Sequence, residues 1–261
     1  MFEHYFSRAY TGDPFVLFAP AHLGAIGIVL GACVLLAMGL RSAQLTPRQQ
    51  AIIRHGLALF ALVNLVAWYL WEWSVGLSSL AFSLPIQICT GATILCPIML
   101  WRRSYRLFEI IYFWGLAGAT QALFTPDIGA FGFPHFVFII FFTSHGSILL
   151  CVVFMLAAER YRPYWSSLGR VIPITLGFLG FAGLANALTG GNYMFVARKP
   201  PFPTLIDYLG PWPWYVLYLI AIGIVSFVIV YLPFALRDRA IAAQPRVRAP
   251  GDGGTNTAVR T

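Results

Sequence analysis

Few polar side chains interrupt the apolar runs of this chain, and Cys89 and His145 are the two whose combined chemistry is most specific. A neutral imidazole beside a thiol can draw off its proton and leave a thiolate, which attacks the carbonyl of an acyl ester. Cys89 and His145 each lie nine or ten residues inside an apolar run. At about 1.5 Å per helical residue that is roughly 13–15 Å below one surface, and Asn64 comes to a similar level. Equal depth on two helices does not make neighbours of them, and a buried cysteine commonly serves as a small hydrophobe. His22 is the other deep histidine. With His145 it would offer two axial ligands to a haem, but two histidines alone do not select that group. The sole lysine, Lys199, falls between runs, which excludes a retinal Schiff base. Cys33, Cys96 and Cys151 lack a C-x-x-C partner or a His/Cys metal spacing, so no metal, cofactor or disulfide is expected.

The elements that must position these groups are long helices. Hydrophobic residues make up 59% of the chain and charged residues 10%, far from the soluble globular average. Mean hydropathy is +0.76. Runs of roughly 18 or more residues poor in charge predict seven spans. They fall near 16–40, 55–73, 80–101, 107–124, 135–158, 170–190 and 214–236. Period-two alternation, the mark of a membrane barrel, is absent, so the expected class is an all-α, polytopic seven-helix bundle. Gly24, Gly31, Gly115, Ala119, Gly177, Gly180 and Gly183 are the small residues expected at close helix contacts. Trp and Tyr gather at span ends, as in Trp68-Tyr-Leu-Trp-Glu-Trp73, where amphipathic rings anchor to the interface.

Segments 41–54, 102–106, 159–170 and 237–261 carry three, three, three and five of the 17 Lys and Arg, and the alternate segments carry the remaining three. Positively charged loops stay on the cytoplasmic side, which predicts the N-terminus outside and the C-terminus inside. The net charge of +8 then reflects topology and calls for no nucleic acid, while membrane lipids are the expected partners. MFEHYFSRAY lacks a basic region followed by an apolar one, so the first span is expected to be the insertion signal rather than a cleaved peptide. Residues 237–261 are expected to be a disordered cytoplasmic tail.

Asn64, Trp68 and Glu72 share one helical stripe, which suits either interhelical hydrogen bonds or a polar path. In segment 191–213, Asn192, Arg198, Lys199 and Asp207 sit among Gly and Pro beside a Trp-Pro-Trp rim. Two cations there suit a phosphate headgroup, and a rigid turn with Asp207 capping a helix or pairing with Arg198 suits the same residues.

Leu84-Pro-Ile-Gln-Ile-Cys89, Tyr112-Phe-Trp-Gly-Leu-Ala-Gly-Ala-Thr-Gln121 with Thr125-Pro-Asp127, and Ser144-His-Gly146 form a recognisable set. With Asn192-Tyr-Met194, Lys199-Pro200 and Leu205-Ile-Asp-Tyr-Leu-Gly-Pro-Trp-Pro-Trp-Tyr215 they resemble the YwaF-like family of bacterial integral membrane proteins, over nearly the whole chain to about residue 236. That implies a multi-pass protein of the bacterial cytoplasmic membrane. The family is similar to a eukaryotic multispan group of lipid acyltransferases with a helix-borne cysteine nucleophile and a histidine partner. Carried over by position, these are Cys89 and His145. Family members often have a histidine two residues before the cysteine, where this chain has Gln87, a residue that a regular helix would turn away from Cys89. The resemblance implies acyl transfer or lipid-ester hydrolysis on a phospholipid or other acyl-ester substrate. Gln121 or Asn64 would steady the oxyanion, Gln87 and His22 would line the cavity, and Asn192, Arg198, Lys199 and Asp207 would hold the headgroup. The reading from a different class is a non-enzymatic transporter or binder of small amphiphiles.

Overall fold

The structure is a computed structural model that describes residues 3–200 and 205–242. Among them the architecture is helical, without strands. Helix α1 is Pro20–Ser42, α2 Pro47–Ser74, α3 Ile88–Arg102, α4 Tyr105–Phe124, α5 Phe136–Ala157, α6 Trp165–Thr189 and α7 Trp214–Ala242. Six of them are long and apolar enough to cross a membrane, and the exception is α3, with 15 residues. The chain is therefore a multi-pass membrane protein.

Local sequence sets the ends. Pro47 opens α2 behind a capping box in which Thr46 and Gln49 satisfy each other's backbone N–H, so this helix begins eight residues before the apolar run does. Ser104 accepts from Leu107 N–H at the start of α4, and Gly190 ends α6 at φ 71°. Residues 237–242, expected to be unfolded, continue α7, where Asp238 accepts from Arg162 at 2.6 Å. The rest of the expected tail, 243–261, lies outside the described residues.

Helix α5 occupies the centre, against α1, α2 and α3. α4 passes through a π-helical turn at Trp114–Ala119 between two α-helical stretches. Among the glycines inside the helices Gly115 makes the closest approach: a Cβ there would meet Ile148 at 2.9 Å. Gly24, Gly31, Gly177 and Gly180 have open space where a Cβ would stand, so of the glycines expected at close helix contacts only Gly115 makes a tight one, while Ala119 is fully buried. At one end, arginines close onto acids. Glu159 accepts from Arg103 at 2.7 Å and from Arg54 at 3.5 Å.

The N-terminal segment is strapped to the opposite end of the bundle. His135, fully buried, accepts from Val137 N–H through Nδ1 at 3.1 Å and donates from Nε2 to the Ser7 carbonyl at 3.0 Å. Trp71 donates to the Phe6 carbonyl at 2.8 Å. Burial holds the His135 imidazole below its ordinary range, with nearby His4 acting in the same sense against the Ser7 bond. The unstrapped form binds its proton near pH 6.5, so strap stability is full above that value and declines as pH falls below it. Hydrogen exchange across residues 3–19 should quicken between pH 7 and pH 5, and His135→Gln should flatten that dependence. Equal exchange at both pH values in the unaltered chain would refute the coupling.

Candidate functional site

Residues 80–87, expected to be the first two turns of a span, are not helical. Pro85 pushes Leu84 out of the helical region, and α3 starts only at Ile88 with Gln87 as its extended N-cap. Irregular backbone at such a place is tolerated only where protein satisfies it. Tyr193 does so: its hydroxyl donates to the Leu80 carbonyl at 2.7 Å and accepts from Leu84 N–H at 3.0 Å. Asn186 in turn grips the Tyr193 backbone from both sides, at 2.6 and 3.0 Å. Gln87 Oε1 accepts from Met194 N–H at 3.1 Å.

Two sequence expectations change as a result. Cys89 sits on the first turn of α3 rather than nine residues into a helix, so the equal-depth argument lapses. Gln87 is not turned away from it, because the N-cap lies off the helical path, and both side chains line one cavity of about 500 Å³. Cys89 borders the free backbone N–H groups of the helix start, where negative charge is favoured.

The cavity continues between Trp114, Gly118 and Gln121 of α4, Thr175 and Leu179 of α6, and the inner face of α7 from Val216 to Phe227. Eleven residues of helix span about 17 Å, comparable to one leaflet's hydrocarbon depth. Its walls are mostly apolar. Gly118 faces the thiol: a Cβ there would stand 3.8 Å from Cys89 Sγ, an ordinary van der Waals contact. Trp114 Nε1–H donates to Thr175 Oγ1 at 2.8 Å, which occupies the indole N–H and leaves its ring as an apolar wall. Gln121 faces the cavity without a side-chain hydrogen bond among the described residues.

His145 lies on α5 one turn before Ile148, the residue packed on Gly115, and is not among the residues that line the cavity. Its Nδ1–H donates to the Phe141 carbonyl at 2.8 Å, which fixes the tautomer and leaves Nε2 a lone pair with no partner among the described residues. No hydrogen bond joins Cys89 and His145 among those residues.

The remaining expected site residues are engaged elsewhere. His22 accepts from Phe18 N–H at 2.9 Å and donates to the Leu123 carbonyl at 2.8 Å, so neither ring nitrogen is open to a ligand or a haem iron. Asn64 donates to the Phe60 carbonyl and accepts from Thr143 at 2.5 Å, an α2–α5 tie rather than a cavity wall. Glu72 is 1% exposed, not at a wet end, and its Oε2 has no hydrogen-bond partner by geometry among the described residues. Asn192 clamps its own loop through Arg198 N–H and C=O, at 3.0 and 2.9 Å. Lys199 donates to the Asp207 carbonyl at 3.1 Å and lies over the Tyr215 ring. Arg198 reaches the Gly190 carbonyl at 3.5 Å. The described residues hold no cluster of three His, Cys, Asp or Glu fit for a metal.

Sequence reasoning did not single out Tyr193, Asn186, Trp114 and Thr175 as the supports of this region. The Asn192-Tyr-Met194 motif was the available signal, since a tyrosine in a polar loop needs a partner for its hydroxyl once buried.

A protein-family model described as the TMEM164 family matches residues 17–231 of the chain. No curated protein and no solved structure matches it significantly.

Proposed function

The chain belongs to the TMEM164 family of multispan membrane proteins, and from that premise we propose that it transfers or hydrolyses lipid acyl groups with Cys89 as nucleophile. One observation carries the reading: the Cys89 thiol opens, at a helix start, into a largely apolar cavity of about 500 Å³ along α7. That is the size of a ligand pocket, and its depth suits an acyl chain.

In this reading His145 Nε2 takes the thiol proton and Cys89 Sγ bonds to the ester carbonyl carbon. The oxyanion is met by the free N–H groups of the α3 start and by Gln121. The carbon–oxygen ester bond then breaks, the leaving alkoxide takes the proton from His145, and the acyl group stays on sulfur as a thioester. An acceptor hydroxyl or water, deprotonated by His145, attacks the thioester carbonyl, and the carbon–sulfur bond breaks to return the Cys89 thiolate, which takes the proton back from His145. Arg198 and Lys199 lie on the same side for the headgroup. We place α3 as a seventh, short span, the N-terminus outside and the bundle in a bacterial cytoplasmic membrane, which the arginine-rich ends of α1–α2, α3–α4 and α5–α6 support. The missing Cys89–His145 bond favours a second reading, in which the cavity binds an amphiphile without chemistry; in the first, substrate closes that gap.

Purified protein in lipid is labelled with an activated acyl thioester. Labelling is expected to vanish in Cys89→Ala and to fall by about 10²-fold or more in His145→Ala, the contribution of a general base. Unchanged labelling in Cys89→Ala would sink the nucleophile. Gly223→Trp, which fills the cavity from α7, separates the readings further: it should abolish both labelling and copurified lipid, whereas Cys89→Ala should retain the lipid.

A further inference from the structure

Near the arginine-rich end a second hollow, of about 540 Å³, lies between α4 and α6 and is independent of the Cys89 cavity. Arg106, Glu109 and Ile110 line it from α4, and Gly169, Arg170 and Ile174 from α6. Its polar groups are unevenly engaged. Glu109, 2% exposed, accepts from Ser167 at 2.5 Å, from Arg170 Nε at 3.0 Å and from Arg170 Nη2, so its charge is met in full. Arg170 therefore keeps Nη1 without a hydrogen bond among the described residues. Arg106 has neither hydrogen bond nor ion pair among them. It occupies the first turn of α4, which holds no acidic residue, and there the helix dipole disfavours a cation. Glu109 answers the charge of Arg170, so the hollow keeps one net positive charge, that of Arg106 beside the positive end of the α4 dipole, with no anion paired to it among the described residues. Pro173 adds an acceptor, because it has no N–H to give the Gly169 carbonyl. The walls beyond are aliphatic.

We propose that this hollow binds the headgroup of an anionic glycerophospholipid that carries a free hydroxyl. Its phosphate lies between Arg106 and Nη1 of Arg170, its hydroxyl donates to the Gly169 carbonyl, and its glycerol backbone rests on Ile110 and Ile174. A planar guanidinium presents the fork that phosphate oxygens match, and the preformed Glu109 pairing holds Arg170 in place for it.

The test is thermal unfolding of the full chain in nanodiscs of phosphatidylcholine, with and without phosphatidylglycerol. Phosphatidylglycerol is expected to raise the midpoint by roughly 2–4 °C. Arg106→Gln should lose that rise while keeping the phosphatidylcholine midpoint, and so should Gly169→Leu, whose side chain enters open space. Arg102→Gln, outside the hollow, should keep the rise. A rise absent from the unaltered chain would overturn the proposal, and so would one that survives Arg106→Gln. Inorganic phosphate reproducing it in phosphatidylcholine discs would assign the hollow to a free anion and overturn the lipid. If Gly169→Leu fails to fold, the Arg106→Gln result decides alone.

Discussion

Glu109→Ala is expected to destabilise the bundle by about 3 kcal/mol, which lowers the midpoint of thermal unfolding by roughly 6–12 °C in a chain of this size. The substitution strips the acceptor from buried Ser167 and the counter-charge from Arg170. Breaking a buried pair from one side typically costs about 3–5 kcal/mol, and the lower end applies here because the Arg170 side chain is 41% exposed and can turn to water. Glu109→Gln, which still accepts from Ser167, should lose about half as much. Thermal unfolding in detergent measures both, and a midpoint for Glu109→Ala within 2 °C of the unaltered chain, about the shift of 0.5 kcal/mol, would contradict the account.

Tyr193→Phe removes one oxygen and leaves two backbone groups, Leu80 C=O and Leu84 N–H, without a partner. An orphan sealed from water costs about 1–3 kcal/mol, and because both groups are only partly buried and Leu80 is exposed, the expected loss is roughly 1–2 kcal/mol. The effect on chemistry should exceed the effect on fold. Segment 80–87 sets where α3 begins, hence where Cys89 stands, and a misplacement of about 1 Å can slow a reaction by about 10²-fold. Acyl labelling of Cys89 is thus expected to collapse at temperatures where the helices persist, with faster hydrogen exchange confined to 80–87. Labelling at the original rate would separate the tyrosine from the site.

Hydropathy recovers the long helices because the physics is additive: α1, α5 and α7 start within a few residues of the runs that announce them. It errs where charge or proline carries the decision. Arg48 and Arg54 hide the first turns of α2, whose capping box is a local signal that a hydropathy window averages away. Residues 80–87 are apolar enough to be counted as span, yet Pro85 and a distant tyrosine hold them out of it. The site shows the same division. Cys89 and His145 stand out as candidates by residue type, but the π-helical turn at Trp114–Ala119 beside the Cys89 cavity does not, since no local pattern specifies it. His22 and Asn64 look like ligands in sequence because they are polar residues in apolar runs, yet their polar atoms are taken: His22 by Phe18 N–H and the Leu123 carbonyl, Asn64 by the Phe60 carbonyl of its own helix and the Thr143 hydroxyl.

The Leu84–Tyr193 bond also imposes an order on biosynthesis. The chain between Cys89 and Tyr193 is 104 residues long. At about 5–20 residues per second the ribosome needs roughly 5–20 s to make it. Through that interval the thiol is already inserted beside a stretch of unpaired peptide groups, and only the arrival of the segment after α6 closes it. The nascent protein therefore acquires its early helices long before it can complete the frame around Cys89, and a ribosome stalled in α5 or α6 leaves a membrane-embedded chain that bears the cysteine without the loop that fixes the start of its helix.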